Sequence, residues 1–413
     1  MGTVIHNRKS FVVITGIIIS TFLFVKCIDD SSKSTTVNIN KNKFQEFAGS
    51  KVCADCHKKI YDTHIQTAHH LTSQPANAKN IKGSIAEGEN AFYYNPNVYV
   101  SVQKRDSLFY QAEYVDGVEK YFAPINITVG SGKRGQTFLY WNNHRLFQLP
   151  LTYFTALKQW TNSPGFSNRV VFRRPITSRC LECHSTFFEK INTDTNSLVE
   201  EFDRTHIVYG VDCEKCHGPA ANHVAFHQKN PSATKAQFII NPSNFTRTQS
   251  LELCQLCHGG RLTKSKPSFS FQAGEKLSDY FSMDTVQKNI TNIDVHGNQY
   301  GMLIASKCFK MSKMTCVTCH NSHQNETGNK ILFSQHCMSC HTEANNTFCK
   351  AKNKVGNKII NNCIDCHMPE ELSKSIMVLL QGQNIPTSAT MRSHFIAVYP
   401  TETKNFLQAQ KSK

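Results

Sequence analysis

One five-residue pattern, Cys-x-x-Cys-His, recurs seven times in this 413-residue chain. Its copies are Cys53, Cys56, His57; Cys180, Cys183, His184; Cys213, Cys216, His217; Cys254, Cys257, His258; Cys316, Cys319, His320; Cys337, Cys340, His341; and Cys363, Cys366, His367. Random placement at these Cys and His frequencies gives roughly 0.03 such motifs, so chance is excluded. Two thiols three positions apart can each form a thioether with one vinyl group of the same haem, and the adjacent imidazole then reaches the iron as an axial ligand. Zinc knuckles take further ligands from elsewhere, and disulfide staples need no His after the second Cys. Neither alternative explains a His at every copy. The expectation is seven covalent haem c groups, the fourteen Cys binding the macrocycles and the seven His binding iron.

Seven macrocycles change what the composition means. Only 39% of the residues are apolar, below the usual ~45–50% of a globular chain. Disorder does not explain the deficit, because 27 Phe and 13 Tyr are spread along the chain. Haem is therefore expected to supply the missing apolar bulk. The one long interval between motifs, from His57 to Cys180, has a different pattern. Val98, Val100 and Val102 alternate, as do Leu108, Tyr110, Ala112 and Tyr114; Asp116-Gly117 is a hairpin turn signal; and Ile125, Ile127, Val129 and Thr137 to Trp141 continue the strand pattern. The expected fold class is a mostly α and irregular multihaem cytochrome c with a haem-filled core, plus a small antiparallel β-module. Its expected parts are a signal segment at 1–26, a polar tether at 27–50, a first haem segment at 51–90, a β-rich module at 91–175 and a hexahaem region at 176–413.

The start of the chain points to export. His6, Arg8 and Lys9 precede the apolar run from Phe11 to Val25, which is shorter than the ~20 residues of a spanning helix. Cys27 follows where a bacterial lipoprotein carries its acylated Cys, although Lys26 replaces the usual small residue; an uncleaved membrane anchor is the alternative. Both place the protein in a bacterial cell envelope, as a periplasmic or cell-surface lipoprotein in the first case. Cys308 and Cys349 are expected to be small buried residues, with a disulfide between them as the alternative.

Charge and glycine patterns suggest two further functions that do not survive inspection. Lys and Arg number 46 against 30 Asp and Glu, a net +16, which ordinarily suggests nucleic acid. Seven haems bring up to fourteen propionate charges, so the basic excess reads largely as internal counter-charge and no nucleic-acid partner is expected. Residues 120–181 contain no acid and nine bases, among them Lys133, Arg145, Arg174 and Arg179; they pair with propionates or form a docking face for an acidic redox partner. Gly130-Ser-Gly-Lys-Arg-Gly135 matches a dinucleotide-binding pattern, but a strand-like segment follows it rather than a helix. It is expected to be a strand connection.

Beyond the proximal histidines and His6, eleven His remain for the second axial positions; His144, in a polar turn, is expected to be exposed. The chain resembles the multihaem cytochrome c-552/4 (cytochrome c-554-like) domain family. The resembling segments are Cys53 to His57 with Thr67-Ala68-His69, Val129 to Gly132 with Gln148-Leu149-Pro150, Ser163-Pro164-Gly165, Arg174 to Thr177, Cys213 to Pro219 with His223, and Cys363 to Pro369 with His394. That resemblance implies distal ligation by His69, His223, His323 and His394, with His70 competing for the role of His69. It implies electron transfer through packed, mainly bis-His haems, with a redox partner protein or quinone-linked donor and a membrane link through lipid on Cys27 or the N-terminal anchor. The alternative is an oxidoreductase acting on a small nitrogen or sulfur oxyanion at one open haem. No Cys-x-x-Cys-Lys occurs, so the lysine-ligated haem of pentahaem nitrite reductases is absent.

Overall fold

The structure, a computed structural model, describes residues 47–165, 168–191, 199–282 and 293–411. The signal segment 1–26, Cys27 and nearly all of the tether 27–50 lie outside these residues.

The strand pattern of the long interval forms as expected. Ala91–Asn95, Val98–Arg105, Leu108–Val115 and Val118–Pro124 make a four-stranded antiparallel meander. Val100 and Val102 are fully buried on its inner face, and Asp116 and Gly117 both have positive φ, 51° and 77°, as the tight hairpin turn requires. A second sheet of seven strands lies alongside in sequence. Ser73–Pro75, Ile127–Val129, Gly135–Asn142, Arg145–Gln148 and Arg174–Pro175 follow one another across it, and Leu151–Phe154 and Gln159–Asn162 extend it from Gly135–Asn142. The glycine-rich segment from Gly130 to Gly135 joins two antiparallel neighbours. Gly130 sits at φ 98°, and a Cβ there would lie 2.8 Å from the Gly135 carbonyl, so glycine serves a tight strand connection. His144 is exposed in the following turn.

The expected fold class does not hold. The described residues are 30% helix and 27% strand with several antiparallel sheets, so they do not form a mostly helical and irregular chain around a haem core. Two physical reasons account for the difference. The β-module has a conventional apolar core of its own, with Phe92, Val102, Phe138, Leu149, Leu151 and Trp160 buried together, so low overall hydrophobicity did not mean that side chains fail to make a core. Strands also continue past residue 176: Ser185–Lys190 pairs with Phe202–Tyr209, Thr263–Lys264 with Phe281–Ser282, and Glu370–Val378 with Thr387–Arg392. These hairpins are short, bulged or half-exposed, which erases the alternation that sequence reading needs. The expected brief helices at the motifs are present, including Ser178–His184, Cys213–His217 and Ile364–His367. Longer ones run over Ser50–His64 and Arg247–His258, the latter started by a capping box between Thr246 and Gln249. Among the described residues no helix is long and apolar enough to cross a membrane.

Candidate haem centres

Two of the hairpins carry motif residues at their open ends. The helix Ser178–His184 runs directly into strand Ser185–Lys190, whose partner Phe202–Tyr209 returns the chain to Asp212 and the helix Cys213–His217. Ser185 and Tyr209 face each other in register, so the second and third motifs leave the same end. The hairpin Glu370–Val378 with Thr387–Arg392 does the same at the C-terminus. It begins after His367 and ends before His394, and is closed by Ser393 N donating to Pro369 O at 2.8 Å and Ala397 N to His367 O at 3.2 Å.

The motifs fall into three groups in which thiols of different motifs touch. Cys53 and Cys213 are interacting neighbours, as are Cys183 and Cys257, Cys254 and Cys316, and Cys337 and Cys363. Charged side chains tie each group together. Buried Glu214 accepts from Ala48 N, Gly49 N and Ala220 N at 2.7, 2.9 and 2.8 Å, joining the third motif to the start of the first motif's helix. Arg179 donates to the Cys183 sulfur and to Leu256 O, both at 3.2 Å. Arg247 donates to Met314 O at 3.1 Å and Phe309 O at 3.2 Å, which brings the fifth motif beside the fourth. In the last group Ser334 Oγ accepts from Cys363 N at 3.0 Å, and Arg392 holds Ile364 O, Met368 O and Asp365 at 3.0, 2.7 and 2.9 Å.

Whether these residues fit haem can be tested on the imidazoles. Two rings sharing one six-coordinate iron have centroids about 6 Å apart, since each nitrogen sits ~2 Å from the metal and the centroid ~1 Å behind it. Three motif histidines face a second histidine at this spacing: His258 and His69, His217 and His323, His320 and His394 are each 6.2 Å apart. Several Nδ1 atoms are occupied by acceptors. His217 donates to Ile240 O at 2.8 Å, His394 to Arg392 O at 3.2 Å and His258 to Gln299 Oε1 at 3.2 Å, which leaves Nε2 free to bind a metal. Burial holds His217 below its ordinary pKa and lowers His184 and His394 to about 4, so each is the neutral imidazole that a metal requires. The residues therefore fit covalent haem with two axial imidazoles at three motifs.

The other candidates are placed differently. His223 is on the helix Ala221–Lys229, donates to Gln237 O at 2.7 Å and lies 4.7 Å from His227; among the described residues it pairs with no motif imidazole at the 6.2 Å spacing, although His217 feels its charge. His57, His184, His341 and His367 face no second imidazole at the 6.2 Å spacing among the described residues, although His341 and His367 donate to Thr347 O and Ala397 O at 3.0 and 2.8 Å. His70 Nδ1 lies 3.5 Å from Asp212 Oδ1. Cys308 and Cys349 are half-buried free thiols rather than a disulfide. Sequence reading missed Glu214 and Arg392, which act over long sequence separations, and read Arg179 only as one of the basic residues of 120–181 rather than as a link between motifs. It also missed Asp212, which caps the third motif's helix by accepting from Cys213 N at 2.9 Å, although an Asp directly before a helical run is a readable N-cap signal.

Residues 156–218, holding the second and third motifs with the hairpin between them, match the family of cytochrome c554 and c-prime. No curated protein matches the sequence. The solved structure of outer cell wall cytochrome OcwA shares the fold, with a TM-score of 0.53 over 87% of this chain and 82% of that one at 16% identity. The motif repeat and the matched segment support a multihaem c-type cytochrome, a family that implies covalently bound haem c and electron transfer, and the likeness to OcwA shows the fold.

Proposed function

We propose that the chain is a seven-haem electron carrier exported to the cell envelope, each motif holding one haem c, with the centres of His217, His258 and His320 closed by two imidazoles. The observation that carries this reading is the common 6.2 Å spacing of the three histidine pairs, contributed by segments far apart in sequence. Haem supplies one-electron redox chemistry when bound. The chain's own residues hold the motifs in contact through Glu214, Arg179, Arg247, Ser334 and Lys330 and keep the axial imidazoles neutral and oriented, so that little rearranges when charge changes. Export is supported by the basic and apolar N-terminal sequence and by the outer cell wall location in OcwA's name. A lipid on Cys27 or an uncleaved anchor would link the chain to a membrane, and a redox protein or quinone-linked donor would supply its electrons.

A second reading, an oxidoreductase acting on a small nitrogen or sulfur oxyanion, is favoured by one observation. His57 and His341 are exposed and face no second imidazole among the described residues, so either centre could offer an open iron position. Denatured intact mass of the purified protein should show seven haem additions; fewer would reduce the count. Carbon monoxide titration of the reduced protein separates the two readings: little binding supports the carrier, and one rapid stoichiometric site supports the oxidoreductase.

A further inference from the structure

His64, His70 and Asp212 converge outside every motif. Asp212 Oδ1 lies 3.5 Å from His64 Nε2 and 3.5 Å from His70 Nδ1, and one ligand atom from each residue lies within 4.8 Å of the others. The His64 and Asp212 side chains are only 9% and 6% exposed. Three unrelated segments meet here: the C-terminal end of the helix Ser50–His64, the short turn His70–Thr72, and the residue that caps the helix Cys213–His217.

The hydrogen-bonding inventory of this cluster does not close. His64 Nδ1 lies 3.3 Å from Ser322 O, an acceptor only, so Nδ1 carries the proton and Nε2 of the neutral ring presents a lone pair. That lone pair faces a carboxylate oxygen, and two acceptors do not bond each other. His64 Nε2 and His70 Nδ1 are both buried without a hydrogen-bond partner, a costly state unless something positive lies between them and Asp212. The separations also discriminate between a proton and a metal. N–H···O bonds are ~2.7–3.2 Å long, whereas donors at ~2.0–2.1 Å from a tetrahedral zinc are ~3.4 Å from one another. Both 3.5 Å distances match the edge of a tetrahedron.

We propose that His64, His70 and Asp212 bind one divalent transition metal, zinc by the donor set, that ties the first haem segment to the third motif. Two neutral imidazoles and one carboxylate suit zinc, whose fourth position is left to water. None of its ligands belongs to a Cys-x-x-Cys-His motif or to the three facing pairs, and the site borders the His217 centre, His64 lying 6.1 Å from His323.

The test uses the full haem-loaded protein, equilibrated with zinc and freed of loose metal by gel filtration. Elemental analysis should find one zinc per chain. His70→Gln and Asp212→Asn, the second of which keeps a good helix cap, should each lower retained zinc at least tenfold while the haem count by pyridine haemochrome stays that of the parent. X-ray absorption at the zinc edge of the unaltered protein should show nitrogen and oxygen ligands including two imidazoles, and this arm stands even where a variant fails to fold. No retained zinc, as expected if a single proton bridges His64 and Asp212, overturns the proposal. Zinc retained undiminished by both variants, zinc with sulfur ligands, or a haem lost from His70→Gln would also overturn it.

Discussion

Replacing His394 by Ala tests the pairing geometry at a single centre. His394 reaches its position 6.2 Å from His320 because the C-terminal hairpin returns the chain there, and its backbone is held independently of its side chain. Ser393 N donates to Pro369 O at 2.8 Å, Ile396 N to Ser306 Oγ at 2.8 Å and Ala397 N to His367 O at 3.2 Å. The loop therefore stays in place when the ring is removed, and no other histidine lies opposite His320 at that spacing among the described residues. With seven haems loaded, one iron of seven loses its sixth ligand, so about 14% of the haem should change from low-spin to high-spin. The reduced variant should bind one carbon monoxide per chain more than the parent. Millimolar imidazole should restore the low-spin spectrum, which a folding defect would not allow. An unchanged carbon monoxide stoichiometry, or a spin change spread over several haems, would falsify the assignment of His394 to His320.

Four further outcomes follow from particular residues. His223→Met tests the ligand role implied by the family resemblance: a thioether in place of imidazole should raise one redox transition in a spectroelectrochemical titration, and an unaltered titration removes His223 from the ligand set. Phe138→Ala, at a fully buried position 5.3 Å from Trp160, should destabilise the β-module by about 3–5 kcal/mol, measured by denaturant unfolding followed through the Trp signal. Arg392→Leu removes the donor to Ile364 O, Met368 O and Asp365 and should cost about 2–3 kcal/mol, seen as faster amide exchange confined to residues 363–394. Cys27→Ala should move the protein from the membrane fraction to the soluble one if lipid is its anchor, and unchanged retention would point to an uncleaved segment.

What the sequence made legible depended on how local the signal was. The motifs are five residues long and self-announcing, and the strands from Ala91 to Trp141 showed themselves because one face is buried and the other is wet. Asp116-Gly117 and the Gly130 segment were readable for a related reason, since only particular residues tolerate positive φ. The three facing histidine pairs were not legible from spacing. His69 and His258 are 189 positions apart and His217 and His323 are 106 apart, so no local period links them, and family resemblance alone nominated their distal members. The later hairpins escaped for a different reason: Ser185–Lys190 and Glu370–Val378 both carry register shifts against their partners, which break the period of two. The composition misled because it averages over the chain. A β-module with an ordinary apolar core and motif segments rich in Lys and Asn give the same mean as a chain with no core.

The contacts among motifs also bear on how such a chain can conduct. Thiol contacts alone leave three separate groups: first with third, second with fourth and fifth, sixth with seventh. The histidine pairs cross between those groups. His69 follows the first motif and faces His258 of the fourth; His323 follows the fifth and faces His217 of the third; His394 follows the seventh and faces His320 of the fifth. Each crossing joins centres that thiol contact leaves apart, so all seven motifs belong to one connected network. At the three paired centres the distal ligand comes from a segment belonging to another centre, so none of the three can shift without moving a second one. Such cross-bracing keeps ligand geometry fixed during a one-electron change, and it explains why antiparallel hairpins, which return the chain to its starting point, carry the motifs at their open ends. The same reasoning locates the weakest points of the network: His57 and His341 are exposed and without a facing imidazole among the described residues, so no second segment braces them.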